Sequence, residues 1–282
     1  MEIMNLPLLY QNRLQTDIVL DSSSSMAAIA AWHRLHNFNI PFENLDIIAG
    51  IYHPLSADNW IPRILHNNRG GYCFELNGLF AHLLTTIGFN PVLHNARILF
   101  GSNAVFARGH QLMTLQLEQQ TWLLDVGYRY GIIDPIPLVH NIEITQYSEA
   151  FRLTQLDSGE WLLQKKITGD WVNLYSFYTT PCEQVDFSPM HYSNAHNSDS
   201  IFTQHRIVTR KTPEGTLSLI DNILIRYESD RKTSSPVQSE LDYQETLEAY
   251  FGIVLSLEDA GYLFNSNPAN RNQTYSFALQ HN

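Results

Sequence analysis

Cys73-Phe-Glu-Leu-Asn-Gly-Leu-Phe-Ala-His-Leu-Leu-Thr-Thr-Ile-Gly88 is the clearest helix in the chain. Leu76, Leu79, Phe80, Leu83 and Ile87 recur at helical spacing, and Gly88 stands where a helix terminates. The period then changes. Residues 92–100, 110–117 and 121–126 are short, β-rich and separated by polar turns, with Glu118-Gln119-Gln120 as a hairpin connection. Segments 160–167, 171–178, 201–209 and 216–227 continue the strand pattern, and the stretch 229–239 reads as a polar loop. Tyr243 to Leu255 and Leu257 to Phe264 read as short helices. Upstream, the serines 22–25 offer a cap to a helix that starts at Met26 and stops at Ile40-Pro41, since a residue before proline avoids the helical region. A helical first third, a β-rich body and a small helical tail predict an α+β chain rather than alternating βαβ units. Divisions fall near residues 90 and 200.

Composition bounds the function. The chain has 282 residues, 44% hydrophobic and 12% aromatic, enough for one large or two ordinary domains. Only 16% of residues are charged, and 17 Lys and Arg against 28 Asp and Glu leave a net charge of −11. That argues against a broad nucleic-acid surface, which needs clustered cations. No apolar run approaches the roughly 20 residues of a membrane span. The start, Met1-Glu-Ile-Met-Asn-Leu-Pro, lacks a basic region and a cleavage site, so a cytoplasmic, reducing location is expected. The two cysteines, Cys73 and Cys182, cannot build a disulfide framework or a four-thiolate zinc site.

Cys73 follows Arg69-Gly-Gly-Tyr. Two glycines permit a positive φ or a close backbone approach. A helix N-terminus brings partial positive charge and unpaired N–H groups, both of which favour a thiolate. A buried core cysteine behind a glycine turn fits the same residues, and the local pattern leaves both readings open. A thiolate nucleophile needs a base and an orienting group. His110 opens one predicted strand and Asp125 closes the next, so a hairpin brings them close. Asp125 ends an apolar run, where a buried carboxylate requires a partner. Spacing thus suggests a Cys73/His110/Asp125 triad without establishing it.

The segment Arg69-Gly-Gly-Tyr-Cys-Phe-Glu-Leu-Asn77 resembles the cysteine motif of the arylamine N-acetyltransferases. Ile40-Pro-Phe-Glu-Asn-Leu-Asp46 is similar to a second signature of that family, and Asp125-Val-Gly-Tyr128 to its Asp-Val-Gly-Phe motif. The resemblance is dense over the first 140 residues and diffuse to about residue 260. It implies an N-terminal helical bundle over 1–90 carrying the nucleophile, a central β-barrel over 91–200 carrying the histidine and aspartate, and a C-terminal α/β lid over 201–282, around a cysteine-protease-like Cys-His-Asp core. It also implies ping-pong transfer from acetyl-coenzyme A, through an acetyl-cysteine, to an arylamine, arylhydrazine or N-hydroxyarylamine, with no metal. Glu43 and Arg69 would form an ion pair bracing the cysteine loop, and Phe42 and Tyr128 would line the acceptor pocket. One departure stands out: Arg129 occupies the position of a usual glycine. It could meet a coenzyme A phosphate, an acidic acceptor, or solvent.

The same residues admit an amide synthase with a larger acyl donor, a cysteine hydrolase, or a non-catalytic binding protein on this fold. His33 and His36 read as surface histidines, since no metal-spaced Glu or Cys accompanies them. His191 and His196 read as loop polarity, and Cys182 as structural. No GxGxxG or P-loop is present, so coenzyme A would be gripped by other means.

Overall fold

The computed structural model describes residues 5–100, 105–228 and 231–266. The chain opens with α1 (Leu6–Leu14) and α2 (Met26–Asn39). Ser25 caps α2 by accepting from the Ala28 N–H, and the helix stops at Ile40 before Pro41. A two-residue strand β1 (Phe42–Glu43), the single turns α3 (Leu45–Ile48) and α4 (Ala57–Trp60), and a π-helical turn over Ile61–His66 lead to α5 (Cys73–Thr86). Apart from α3, these helices share one core, in which Tyr10, Trp32, Ile64, Leu79 and Phe80 are buried.

Eight strands then form one sheet: β2 (Val92–Ile98), β3 (His110–Leu117), β4 (Gln120–Leu124), β5 (Ile136–Pro137), β6 (Ile142–Gln146), β7 (Glu149–Gln155), β8 (Trp161–Ile167) and β9 (Asp170–Phe177). Their order is β5-β4-β3-β2-β9-β8-β7-β6, every neighbour antiparallel. The edge strands β5 and β6 are consecutive in the chain. Gln146 on β6 accepts from the Ile133 and Asp134 N–H groups and donates to the Asp134 carbonyl, so one side chain ties the two edges together. The sheet is therefore a nearly closed barrel around Leu112, Leu123, Phe151, Leu163 and Tyr175. The β3–β4 turn is Glu118-Gln119, both at positive φ, as a two-residue hairpin requires.

Beyond the barrel lie α6 (Ser188–His196) and α7 (Ile201–Gln204), then β10 (Ile207–Thr212), β11 (Gly215–Ile220), β12 (Ile223–Glu228) and β13 (Arg231–Pro236), then α8 (Glu240–Phe251) and α9 (Leu257–Asn265). The second sheet runs β1-β10-β11-β12-β13, so its first strand comes from the N-terminal third.

The α+β class read from the sequence holds, and three local expectations do not. Residues 201–209 are not one strand: Ser200 accepts from the Phe202 N–H and starts a helical turn before β10. Segment 216–227 is two strands, because Asp221 takes φ 51° and turns the chain back. Within the expected polar loop, Arg231–Pro236 is an exposed edge strand held by main-chain pairing with β12; Ser229 and Asp230 lie outside the described residues.

Candidate active site

Cys73 is the first residue of α5 and is buried, with its sulfur 3.8 Å from the Gly109 carbonyl. The loop before it is shaped by close approach rather than by left-handed backbone. Neither Gly70 nor Gly71 has a positive φ. A Cβ at Gly70 would collide with the Pro41 carbonyl, and one at Gly71 would lie 2.7 Å from Glu75 Oε2. Glu75 also accepts the Tyr72 N–H at 3.1 Å, tying the loop to the first turn of the helix. The sulfur thus sits in the positive field of a helix N-terminus.

The hairpin brings His110 and Asp125 together. Met113 pairs with Leu124, so Asp125 falls beside Leu112, two residues from His110 on the same face of β3. His110 Nε2 donates to Asp125 Oδ2 at 2.7 Å, and both side chains are buried. Burial disfavours the imidazolium, but the Asp125 carboxylate outweighs it by charge and hydrogen bond. Interaction with the nearby Cys73 side chain adds to this, and the His110 pKa rises to about 10. With Nε2 engaged by Asp125, Nδ1 is the ring nitrogen left for the thiol. Burial pushes the Asp125 pKa up, yet the His110 charge and hydrogen bonds from His110, Asn77 and Gly127 bring it below the ordinary value. His110 and Asp125 form one hydrogen-bonded pair, with Asn77 and Gly127 holding the carboxylate.

The remaining residues of interest fall in two places. Arg69 Nε donates to Glu43 Oε1 at 2.9 Å and Arg69 Nη2 to Asp46 Oδ1 at 2.6 Å. Arg63 links Asp46 to Glu75, closing a buried ionic network behind the cysteine loop. Phe42 packs near Phe202, with ring centroids 6.1 Å apart, in the cluster that holds Tyr72, Cys73 and Phe74. The Tyr128 ring lies 5.3 Å from His110 and 5.4 Å from Tyr175. Arg129 is half-buried, its guanidinium 4.6 Å from the centre of the Tyr130 ring.

Several residues at the site escaped the sequence reading. Asn77 donates to Asp125 Oδ1 at 2.9 Å and to the Gln111 carbonyl at 2.6 Å, and accepts the Val126 N–H at 2.9 Å. It lies one helical turn after Cys73 on the same face, a spacing that could have revealed it. His33 and His36 are not surface residues; both are fully buried, because this face of α2 packs under Phe80 and the barrel. His191 is not in a loop. It is a buried residue of α6 whose Nε2 donates to the His53 carbonyl at 2.7 Å and whose Nδ1 accepts the Tyr72 hydroxyl. Cys182 is half-buried, and burial followed by nearby Asp186 pushes its thiol pKa up, which disfavours a nucleophilic role.

Among the described residues, no helix is long and apolar enough to cross a membrane, and no group of three or more His, Cys, Asp or Glu is placed to hold a metal ion.

Comparison with known proteins accords with this geometry. A family profile described as N-acetyltransferase matches residues 25–260. The arylamine N-acetyltransferase of Escherichia coli is 32% identical over 206 residues, covering 71% of this chain and 72% of that protein. The solved arylamine N-acetyltransferase of Salmonella typhimurium superposes with a TM-score of 0.85 at 27% identity, over 92% of this chain and 98% of that one. The Nocardia farcinica arylamine N-acetyltransferase gives 0.86 at 25% identity, over 95% and 96%. A match across most of the length, at this identity and on this fold, means that the chain belongs to the arylamine N-acetyltransferases, a family of acyltransferases.

Proposed function

We propose that this protein transfers an acetyl group from acetyl-coenzyme A to a small aromatic amine, hydrazine or N-hydroxyarylamine through an acetyl-cysteine on Cys73. What supports the reading is the buried, hydrogen-bonded His110–Asp125 pair together with a buried Cys73 at the start of α5. Asp125 keeps the proton on Nε2 and holds the ring cationic over a wide pH range. Positive charge beside the sulfur, with the helix N-terminus, stabilises the thiolate. The thiolate attacks the acetyl carbonyl, and the carbon–sulfur bond to coenzyme A breaks as His110 gives a proton to the leaving thiolate. The acceptor nitrogen then attacks the acetyl-cysteine, His110 takes its proton, and the Cys73 thiolate returns. One pocket serves both substrates in turn, the logic of ping-pong kinetics.

In this reading Phe42 and Tyr128 line the acceptor pocket, Arg129 meets a coenzyme phosphate or an acidic acceptor, and Glu43 with Arg69 braces the cysteine loop. Residues 1–90 supply the nucleophile, 91–200 the histidine and aspartate, and 201–282 the covering lid. A reducing, cytoplasmic setting suits two free thiols.

Intact-protein mass spectrometry after exposure to acetyl-coenzyme A tests the proposal. We expect one added acetyl group, removed by an arylamine with formation of the acetylated amine, and no addition to Cys73→Ala. An acetyl group lost equally fast to water would favour a hydrolase. No acetylation, with acylation by a bulkier thioester, would favour an amide synthase.

A further inference from the structure

His33 lies on α2, and its ring is fully buried. Its two nitrogens meet main-chain groups whose roles are fixed. The Asp125 N–H can only donate, and it reaches His33 Nε2 at 3.0 Å. The Ile133 carbonyl can only accept, and it lies 2.7 Å from Nδ1. The ring is therefore neutral, with its proton on Nδ1. Strand β4 ends at Leu124, so the Asp125 N–H has no strand partner and His33 takes it instead. On the next peptide, Asn77 takes the Val126 N–H. The backbone is thus held on both sides of the carboxylate that faces His110.

We infer that His33 is a positioning residue, which fixes the Asp125 main chain so that its carboxylate stays aligned on His110. The inference rests on the proposed roles of Cys73, His110 and Asp125. Alignment matters because a displacement of about 1 Å at a reacting group costs on the order of a hundredfold in rate. The charged and titratable groups around the ring are Asp125 and Asp134 of the barrel and Arg34 and His36 of its own helix, with Tyr10 and Arg13 of α1 on the His36 side. Phe80 of α5 packs edge-on at 5.9 Å. Burial lowers the His33 pKa and favours the neutral ring that the hydrogen bonds require.

The test compares the full-length wild type with His33→Leu, His33→Gln and Asp125→Asn by the pH profile of iodoacetamide alkylation at Cys73. Leucine fills space but can neither accept from Asp125 nor donate to Ile133; glutamine can do both. For His33→Leu we expect alkylation at neutral pH to slow roughly tenfold. Its pH profile should differ from that of the wild type. His33→Gln should keep the wild-type profile. A His33→Leu protein that is less stable yet keeps that profile would show a structural role only and overturn the inference. If Asp125→Asn also keeps the profile, the triad reading fails as well. If Asp125→Asn shifts it and His33→Leu does not, only the role of His33 is lost. Nitrogen-15 NMR of the wild-type ring gives a check that needs no variant: a neutral, Nδ1-protonated His33 is expected at neutral pH, and an Nε2-protonated ring or an imidazolium contradicts the assignment.

Discussion

At Gly127 the barrel touches α5, the helix that Cys73 opens. A Cβ there would lie 2.5 Å from Asn77 Nδ2, 2.7 Å from Cys73 Cα and 3.0 Å from the Cys73 carbonyl. Two of these neighbours are backbone at the start of α5 and have nowhere to go. The same residue donates its N–H to Asp125 Oδ1 at 3.0 Å. Gly127→Ala is expected to lower stability by about 1–3 kcal/mol, the range for overpacking. It should also slow alkylation of Cys73, because the clash pushes sulfur and carboxylate apart. Urea unfolding and alkylation kinetics measure the two effects separately; an alanine variant unchanged in both would mean the contact is looser than described.

Among the elements, β7, β8 and β10 meet at a buried charge cluster. Glu149 on β7 takes Lys165 Nζ of β8 at 2.5 Å and Lys211 Nζ of β10 at 2.8 Å, joining the barrel to the second sheet. Burial pushes the Glu149 pKa up, but Lys211 and Lys165 outweigh it and hold it at about 2. Burial, with Lys211 as neighbour, lowers Lys165 to about 8. Glu149→Gln leaves two lysines sharing no carboxylate, and breaking a buried pair costs roughly 3–5 kcal/mol. Because the folded pKa lies below the ordinary 4.5, the stabilisation by Glu149 is fully present above that pH and is lost as pH falls through about 2. Thermal melts should therefore show a wide gap between wild type and variant at neutral pH that closes toward pH 2. A gap independent of pH would argue that packing, not charge, holds this junction.

Across the whole molecule, the segment 41–46 joins parts that are distant in sequence. Phe42 and Glu43 pair with Thr209 and Val208 on one side, and Phe42 bridges Gly71 on the other. Asn44 donates to the carbonyls of Phe202 and His205, each at 2.7 Å, and accepts the Ile207 N–H at 2.7 Å. Leu45 enters the core of the second sheet with Val208, Leu219 and Tyr243. Asn44→Ala leaves the buried Ile207 N–H without its acceptor, at a cost of about 1–3 kcal/mol. Hydrogen exchange should then rise first across residues 202–212 while α5 stays protected. Uniform loss of protection would mean that the second sheet and the helices open as one unit.

Legibility followed distance along the chain. Cys73 at a helix start, a serine cap before Met26, the stop at Ile40-Pro41 and a hairpin connection at 118–120 all depend on neighbours within one or two turns, so pattern alone revealed them. His110 and Asp125 were legible as a pair because one hairpin joins them. The local pattern misled where a few polar residues turn the chain, at Ser200 and Asp221, and where pairing alone makes Arg231–Pro236 a strand. Three further features came only from the tertiary structure. His33 meets Asp125 across 92 positions, and Asn44 meets Ile207 across 163. Gly127 is required by the approach of another element, a constraint that no local pattern displays. By itself the sequence determined the local elements that carry Cys73, His110 and Asp125, because periodicity, caps and turns are short-range physics. The tertiary structure decided what holds those residues in line, because buried polar groups choose their partners only once the chain has closed around them.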